Sequence, residues 1–194
     1  MTETVVVERH QSVLAAAPAE AQLATVSPEI QLAVDASDGK VTAAQVRVLQ
    51  ATICSKFTLP QLQLYLTICA RKGVDPFTEA YGFPNSEGGL AFGLRIDGMR
   101  ALAMRTGDYL TRSVETLFTE APDRKMIGAR ATITRKGMTS SVVEEAYFQE
   151  YAGSGFGWTK FPETMIRKVA ESKALRAAFP DALSGVYEPA EIQE

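Results

Sequence analysis

Residues 109–145 read YLTRSVETLFTEAPDRKMIGARATITRKGMTSSVVEE, and this stretch decides the fold class. Three runs rich in Val, Ile, Thr and Leu are cut by two turn-forming triplets, Ala121-Pro122-Asp123 and Arg135-Lys136-Gly137. β-Branched residues suit a half-buried pleated surface, whereas Pro, Asp and Gly supply the backbone angles of tight turns. The pattern predicts strands over Tyr109–Glu120, Lys125–Thr134 and Met138–Glu145, joined as an antiparallel meander.

On either side the apolar period lengthens to three or four. Upstream, Val46, Leu49 and Ile53 mark a helix capped by Thr42, running to about Ser55. Leu62, Tyr65, Leu66 and Cys69 mark a second over Leu59–Lys72, with Pro60 in its first turn and Gly73 closing it. Ala80–Pro84 and Gly89–Leu94 read as a hairpin around Asn85-Ser86-Glu87-Gly88. A further helix runs from Ile96 or Asp97 to Thr106. Downstream come a short helix over Ala146–Tyr151, a glycine-rich loop at Gly153–Gly157, and a long helix over Pro162–Phe179. The expectation is an α+β fold, with helices packed on a β-hairpin and a three-stranded antiparallel meander. No alternating β-α-β-α series suggests a nucleotide-binding parallel sheet. Residues 1–40, rich in Ala, Ser, Pro and acids, are expected to form a flexible tail. Residues 41–187 form the core, and 188–194 a short acidic end.

Composition narrows the chemistry. An apolar share of 46% and a charged share of 22% suit a soluble globular protein. No apolar run approaches the roughly 20 residues that span a bilayer, and no secretory signal is evident. With two cysteines and one histidine, ligands for a zinc site are nearly lacking, so Cys54 and Cys69 read as buried thiols in a reducing cytoplasm. The net charge of −3 is unevenly placed. Residues 1–40 hold two basic and six acidic side chains, which leaves the remainder at +1; residues 156–180 hold five basic against two acidic. Phosphate attraction follows local potential, so that basic stretch outweighs the whole-chain sum.

The glycine loop is not a P-loop, because Gly157 is followed by Trp158 and Thr159 rather than by lysine and a hydroxyl residue. Asp75, Asp97 and Asp108 are the candidates for a metal-dependent nuclease, but turn or helix-start positions explain them locally. The long helix is more informative. Taking Arg167 as reference at 100° per residue, Lys168 falls at about 100°, Arg176 at about 180° and Lys173 at about 240°. The four cations cannot share one narrow stripe. Lys173 and Arg176 are expected to meet one run of phosphates while Arg167 and Lys168 point elsewhere. Trp158 just upstream offers a stacking surface, as single-strand binders use at roughly 1–3 kcal/mol per base.

Gly73-Val74-Asp75-Pro76-Phe77-Thr78 with Tyr81-Gly82-Phe83-Pro84, then Ile96-Asp97-Gly98-Met99-Arg100 with Arg105-Thr106-Gly107-Asp108-Tyr109, resemble successive blocks of the RecT/Redβ single-strand annealing proteins. Trp158-Thr159-Lys160-Phe161-Pro162, Met165, Lys168-Val169-Ala170-Glu171, Ala174-Leu175-Arg176, Ala178-Phe179-Pro180 and Leu183-Ser184-Gly185-Val186-Tyr187 are similar to its final blocks. The ordered set, from about Val41 to Glu194, is what makes the resemblance specific.

The resemblance implies a phage- or prophage-encoded protein of the bacterial cytoplasm. It would bind single-stranded DNA without ATP, assemble into rings or helical filaments, and anneal complementary strands. No covalent chemistry and no catalytic or metal-binding residue is expected, though magnesium could aid annealing. A 5′→3′ exonuclease and the host single-strand-binding protein are the implied partners. By position the DNA-binding residues would be Arg95, Arg135, Lys136, Trp158, Lys160, Arg167, Lys168, Lys173 and Arg176. Glu79 and Glu87 stand in the hairpin region, where relatives often carry lysines. A passive single-strand binder is the alternative reading, and a nuclease the remoter one.

Overall fold

The computed structural model describes residues 26–85 and 87–191. Three helices come first: α1 (Pro28–Ala36), α2 (Ala43–Ala51) and α3 (Leu59–Lys72). The hairpin β1 (Ala80–Pro84) and β2 (Leu90–Leu94) leads into α4 (Ile96–Arg105). Then follow β3 (Tyr109–Phe118), β4 (Met126–Arg135) and β5 (Val142–Tyr147), paired antiparallel in the order β3-β4-β5. The chain ends with α5 (Phe148–Tyr151), α6 (Phe156–Lys160), α7 (Pro162–Ala178), α8 (Pro180–Leu183) and a 3-10 turn, Pro189–Glu191. The fold is α+β, with a hairpin and a separate three-stranded meander.

Local chemistry explains the helix boundaries. Thr42 and Thr58 each accept a hydrogen bond from the backbone three residues on, while Gln45 and Gln61 reach back to their backbone N–H. These reciprocal capping boxes satisfy two otherwise orphaned donors per helix. Gly73 ends α3 at φ 65°, a left-handed conformation that costs glycine little.

The core lies between α7 and one face of the meander. Ala129, Ala131 and Ile133 of β4 and Ala146 of β5 are fully buried there, against Ile166, Val169, Ala170 and Ala174 of α7. Small residues on the sheet allow the helix to approach closely. The register places Arg112, Val114 and Thr116 of β3 opposite Ile133, Ala131 and Ala129, hence on the same face as α7. Cys54 and Cys69 are buried free thiols, and burial pushes them up to about 11 and about 12, which leaves them inert near neutral pH.

Several expectations need correction. Part of the expected flexible stretch is ordered: Ser27 caps α1, Ala33 is fully buried, and Ile30 and Val34 pack beside it. Lys40 donates to the Ala70 carbonyl at 2.7 Å, which ties this segment to α3. Residues 1–25, the rest of the expected tail, lie outside the described residues. The third strand begins at Val142 rather than Met138, because its ladder with β4 stops at Ile133 opposite Val142. The acidic end is not simply solvated: Glu188 is 2% exposed, and Glu191 is ion-paired to Arg176. Ser27-Pro28-Glu29 carries a helix-start signal and Ile30, Ala33 and Val34 follow at helical spacing, a pattern that the surrounding Ala-, Pro- and acid-rich composition masks.

Candidate nucleic-acid interface

The meander and α7 leave a groove between β3, the start of α4 and the first turns of α7. Its volume is about 660 Å³, and Glu188 and Pro189 are among its lining residues. Five cations line it, Arg95, Arg100, Arg112, Arg167 and Lys168, together with Asp97, Glu163, Glu171 and Glu188. On α7, Thr164, Arg167, Lys168 and Glu171 recur at spacings of three and four and so share one face.

Glu171 organises the floor. Its side chain is 3% exposed and accepts two hydrogen bonds from Arg100, Nε to Oε1 at 2.7 Å and Nη2 to Oε2 at 2.6 Å. Arg112 Nη1 reaches the same Oε1 at 2.8 Å. A buried carboxylate between two guanidiniums satisfies its lone pairs and fixes both planar forks. This contact also raises the Arg100 guanidinium above its ordinary value, so the arginine stays charged at every accessible pH. Arg100 also reaches Asp97 at 2.7 Å on the rim. The Arg112 side chain keeps 40% of its surface exposed, which leaves donors directed toward the groove. Arg167 donates to the Val114 carbonyl at 3.0 Å and lies 3.8 Å from Glu163. Arg95 makes a long 3.4 Å hydrogen bond to the Thr78 carbonyl.

The structure divides the residues expected to bind DNA. Arg95, Arg167 and Lys168 come together in the groove. Lys173 and Arg176, expected to meet phosphates, turn inward. Lys173 donates to the Glu145 carbonyl and lies 3.5 Å from Glu144. Arg176 forms a two-pronged pair with Glu191, both contacts at 2.6 Å, and stacks 4.9 Å from the Tyr187 ring centroid. Arg135 donates to the Ala178 carbonyl at 2.9 Å and covers the Phe179 ring. Lys136 donates to the Gly107 carbonyl at 2.9 Å. Trp158 packs edge-on against Phe148 at 5.9 Å, as part of the core margin, whereas Lys160 is exposed on α6.

Arg100 and Arg112 carry no signal in the sequence that marks them as groove residues. Arg100 lies inside the quoted Ile96–Arg100 block, but nothing in one sequence shows that it faces Glu171. Arg112 could be read only once the strand's register was known. The glycine loop continues into the α6 turn, with Thr159 N–H donating to the Gly155 carbonyl at 3.0 Å.

The three candidate nuclease aspartates each have a separate structural partner. Asp75 accepts from Phe77 N–H at 2.8 Å and from the Thr78 hydroxyl at 2.9 Å. Asp97 pairs with Arg100, and Asp108 with Arg135 at 3.4 Å. Among the described residues, no group of three His, Cys, Asp or Glu side chains is placed to hold a metal ion. Nor is any helix there long and apolar enough to cross a membrane.

No curated protein matches the chain. The sequence profile of the RecT family matches residues 39–194, which spans the hairpin, the meander, the groove and every helix after α1. With that match covering most of its length, the chain belongs to the RecT family.

Proposed function

We propose that this protein binds single-stranded DNA along the α7 groove, without ATP, assembles with copies of itself, and pairs complementary strands. The observation that carries the reading is the groove itself, in a chain of a recombination family: Arg112 and Arg167 are exposed, beside a half-buried Lys168, over a floor held by Glu171. Annealing makes or breaks no covalent bond. It requires phosphate neutralisation to offset strand repulsion, and bases left free to pair. Base pairing then supplies the driving force, about 1.4 kcal/mol per stacked step. Guanidiniums fixed by a carboxylate can contact phosphates without closing over the bases. A 5′→3′ exonuclease would supply the single strands, a host single-strand-binding protein would hand them over, and magnesium would act only as an aid. The bacterial cytoplasm is the fitting compartment.

The test is to mix two complementary labelled oligonucleotides with the protein in the absence of nucleotide, and to measure particle size alongside. Faster duplex formation together with large assemblies is the expected result. Protected strands that pair more slowly than alone would make the protein a passive binder, and no effect across a range of salt would overturn both readings.

A further inference from the structure

Two aromatic side chains near the groove are exposed and take no part in its ion pairs. Phe156 is 73% exposed and Phe161 is 57% exposed, and their rings meet edge to face at a centroid distance of 6.1 Å. Phe156 is the most exposed large apolar side chain among the described residues. Trp158, between them in sequence, turns the opposite way onto Phe148. The backbone beneath the pair is fixed. Phe161 N–H donates to the Gly157 carbonyl at 2.8 Å, and the Phe161 carbonyl accepts from Met165 N–H at 3.0 Å. A Cβ on Gly157 would lie 3.1 Å from the sulfur of Met165, so α6 sits directly on a residue that lines the groove.

We infer that Phe156 and Phe161 form a stacking platform for nucleobases at the head of the groove. Phe161 precedes α7 by one residue, so Lys168 lies roughly 10 Å further along the axis at 1.5 Å per residue. That length matches about three nucleotides only at the stacked spacing of one strand in a duplex, about 3.4 Å per phosphate, and fewer in an extended single strand. The turn from Phe156 to Phe161 contains Lys160 and no acid. Exposed rings beside cations are complementary to a single strand, which offers an apolar face on every base and a charge on every phosphate. Contacts between copies also favour aromatic side chains but are depleted in lysine, so Lys160 tips the pair toward the strand. The inference rests on the single-strand reading of the groove and adds the group that would read the bases rather than the phosphates.

The test compares binding of oligodeoxythymidylate with binding of an abasic strand of equal length. The wild-type protein is expected to prefer the base-bearing strand. Phe161→Ala and Phe156→Ala should each weaken binding of that strand by about tenfold and leave abasic binding unchanged. Phe161→Tyr should restore the preference; Phe161→Leu, which keeps apolar bulk but loses the ring face, should not. Both rings are exposed, so thermal unfolding of the variants should match the wild type. Equal losses on both strands, no loss, or rescue by leucine would overturn the platform. So would loss of large assemblies with the strand preference intact, which would make the pair a contact between copies. A wild-type protein that binds neither strand contradicts the groove reading itself, whereas one that binds both equally contradicts only the platform.

Discussion

Arg176 is the residue at which charge pattern and structure diverge most. Its guanidinium meets both oxygens of Glu191, and the Ser172 hydroxyl lies 2.8 Å away. The Glu191 side chain is 6% exposed. Breaking a largely buried pair leaves one charge without its partner, so Arg176→Ala should lower stability by roughly 2–4 kcal/mol in urea unfolding. The slope of single-strand binding against salt should not change; a flatter slope would return Arg176 to the DNA surface. The sequence shows that Arg176 is basic and lies on a helix, but its acidic partner follows 15 residues later in a segment that reads as a solvated end. Glu188 makes a related prediction. Burial holds its carboxyl above the ordinary value of 4.5, so the folded state binds that proton more tightly than the unfolded chain does. Its contribution to stability therefore falls as pH rises from about 4.5 through the folded value. The Glu188→Gln variant should match the wild type below that range and gain on it above; parallel melting curves across the range would refute this.

At the scale of elements, Gly98 explains why α4 must carry its glycine. A Cβ there would lie 2.7 Å from the Glu79 carbonyl oxygen and 2.9 Å from the Glu79 Cβ, so α4 packs directly on the chain entering β1. Gly98→Ala should cost about 1–3 kcal/mol through overpacking, read as a lower midpoint in denaturant. An unchanged midpoint would show that the contact yields freely. The helices were legible where capping and stripe agreed: α3 spans the expected residues, with Thr58 capping it and Gly73 ending it. α1 escaped because its burial rests on Ala33 against α3, a tertiary contact that composition does not reveal. In α7 the angular spread of the four cations was readable, but not which arc faces the groove. That choice follows from the sheet, whose buried alanines draw Ile166, Val169 and Ala170 inward and leave Arg167 and Lys168 beside β3.

For the whole molecule, the meander sets the architecture: its small-residue face seats α7, and the β3 edge supplies Arg112 and the carbonyl that Arg167 grips. The fold class was legible because runs of strand period and runs of helix period are cleanly separated along the chain. The groove was not, because its five cations come from α4 and the residue before it, β3 and α7, and converge only after folding. If a single strand lies on the α7 face carrying Arg167 and Lys168, its affinity over a series of salt concentrations should differ between the wild type and a variant combining Arg167→Ala with Lys168→Ala. Each lost phosphate contact should reduce the slope of log affinity against log salt by about 0.7, so the double variant should be shallower by about 1.4. A slope equal to that of the wild type would contradict the account.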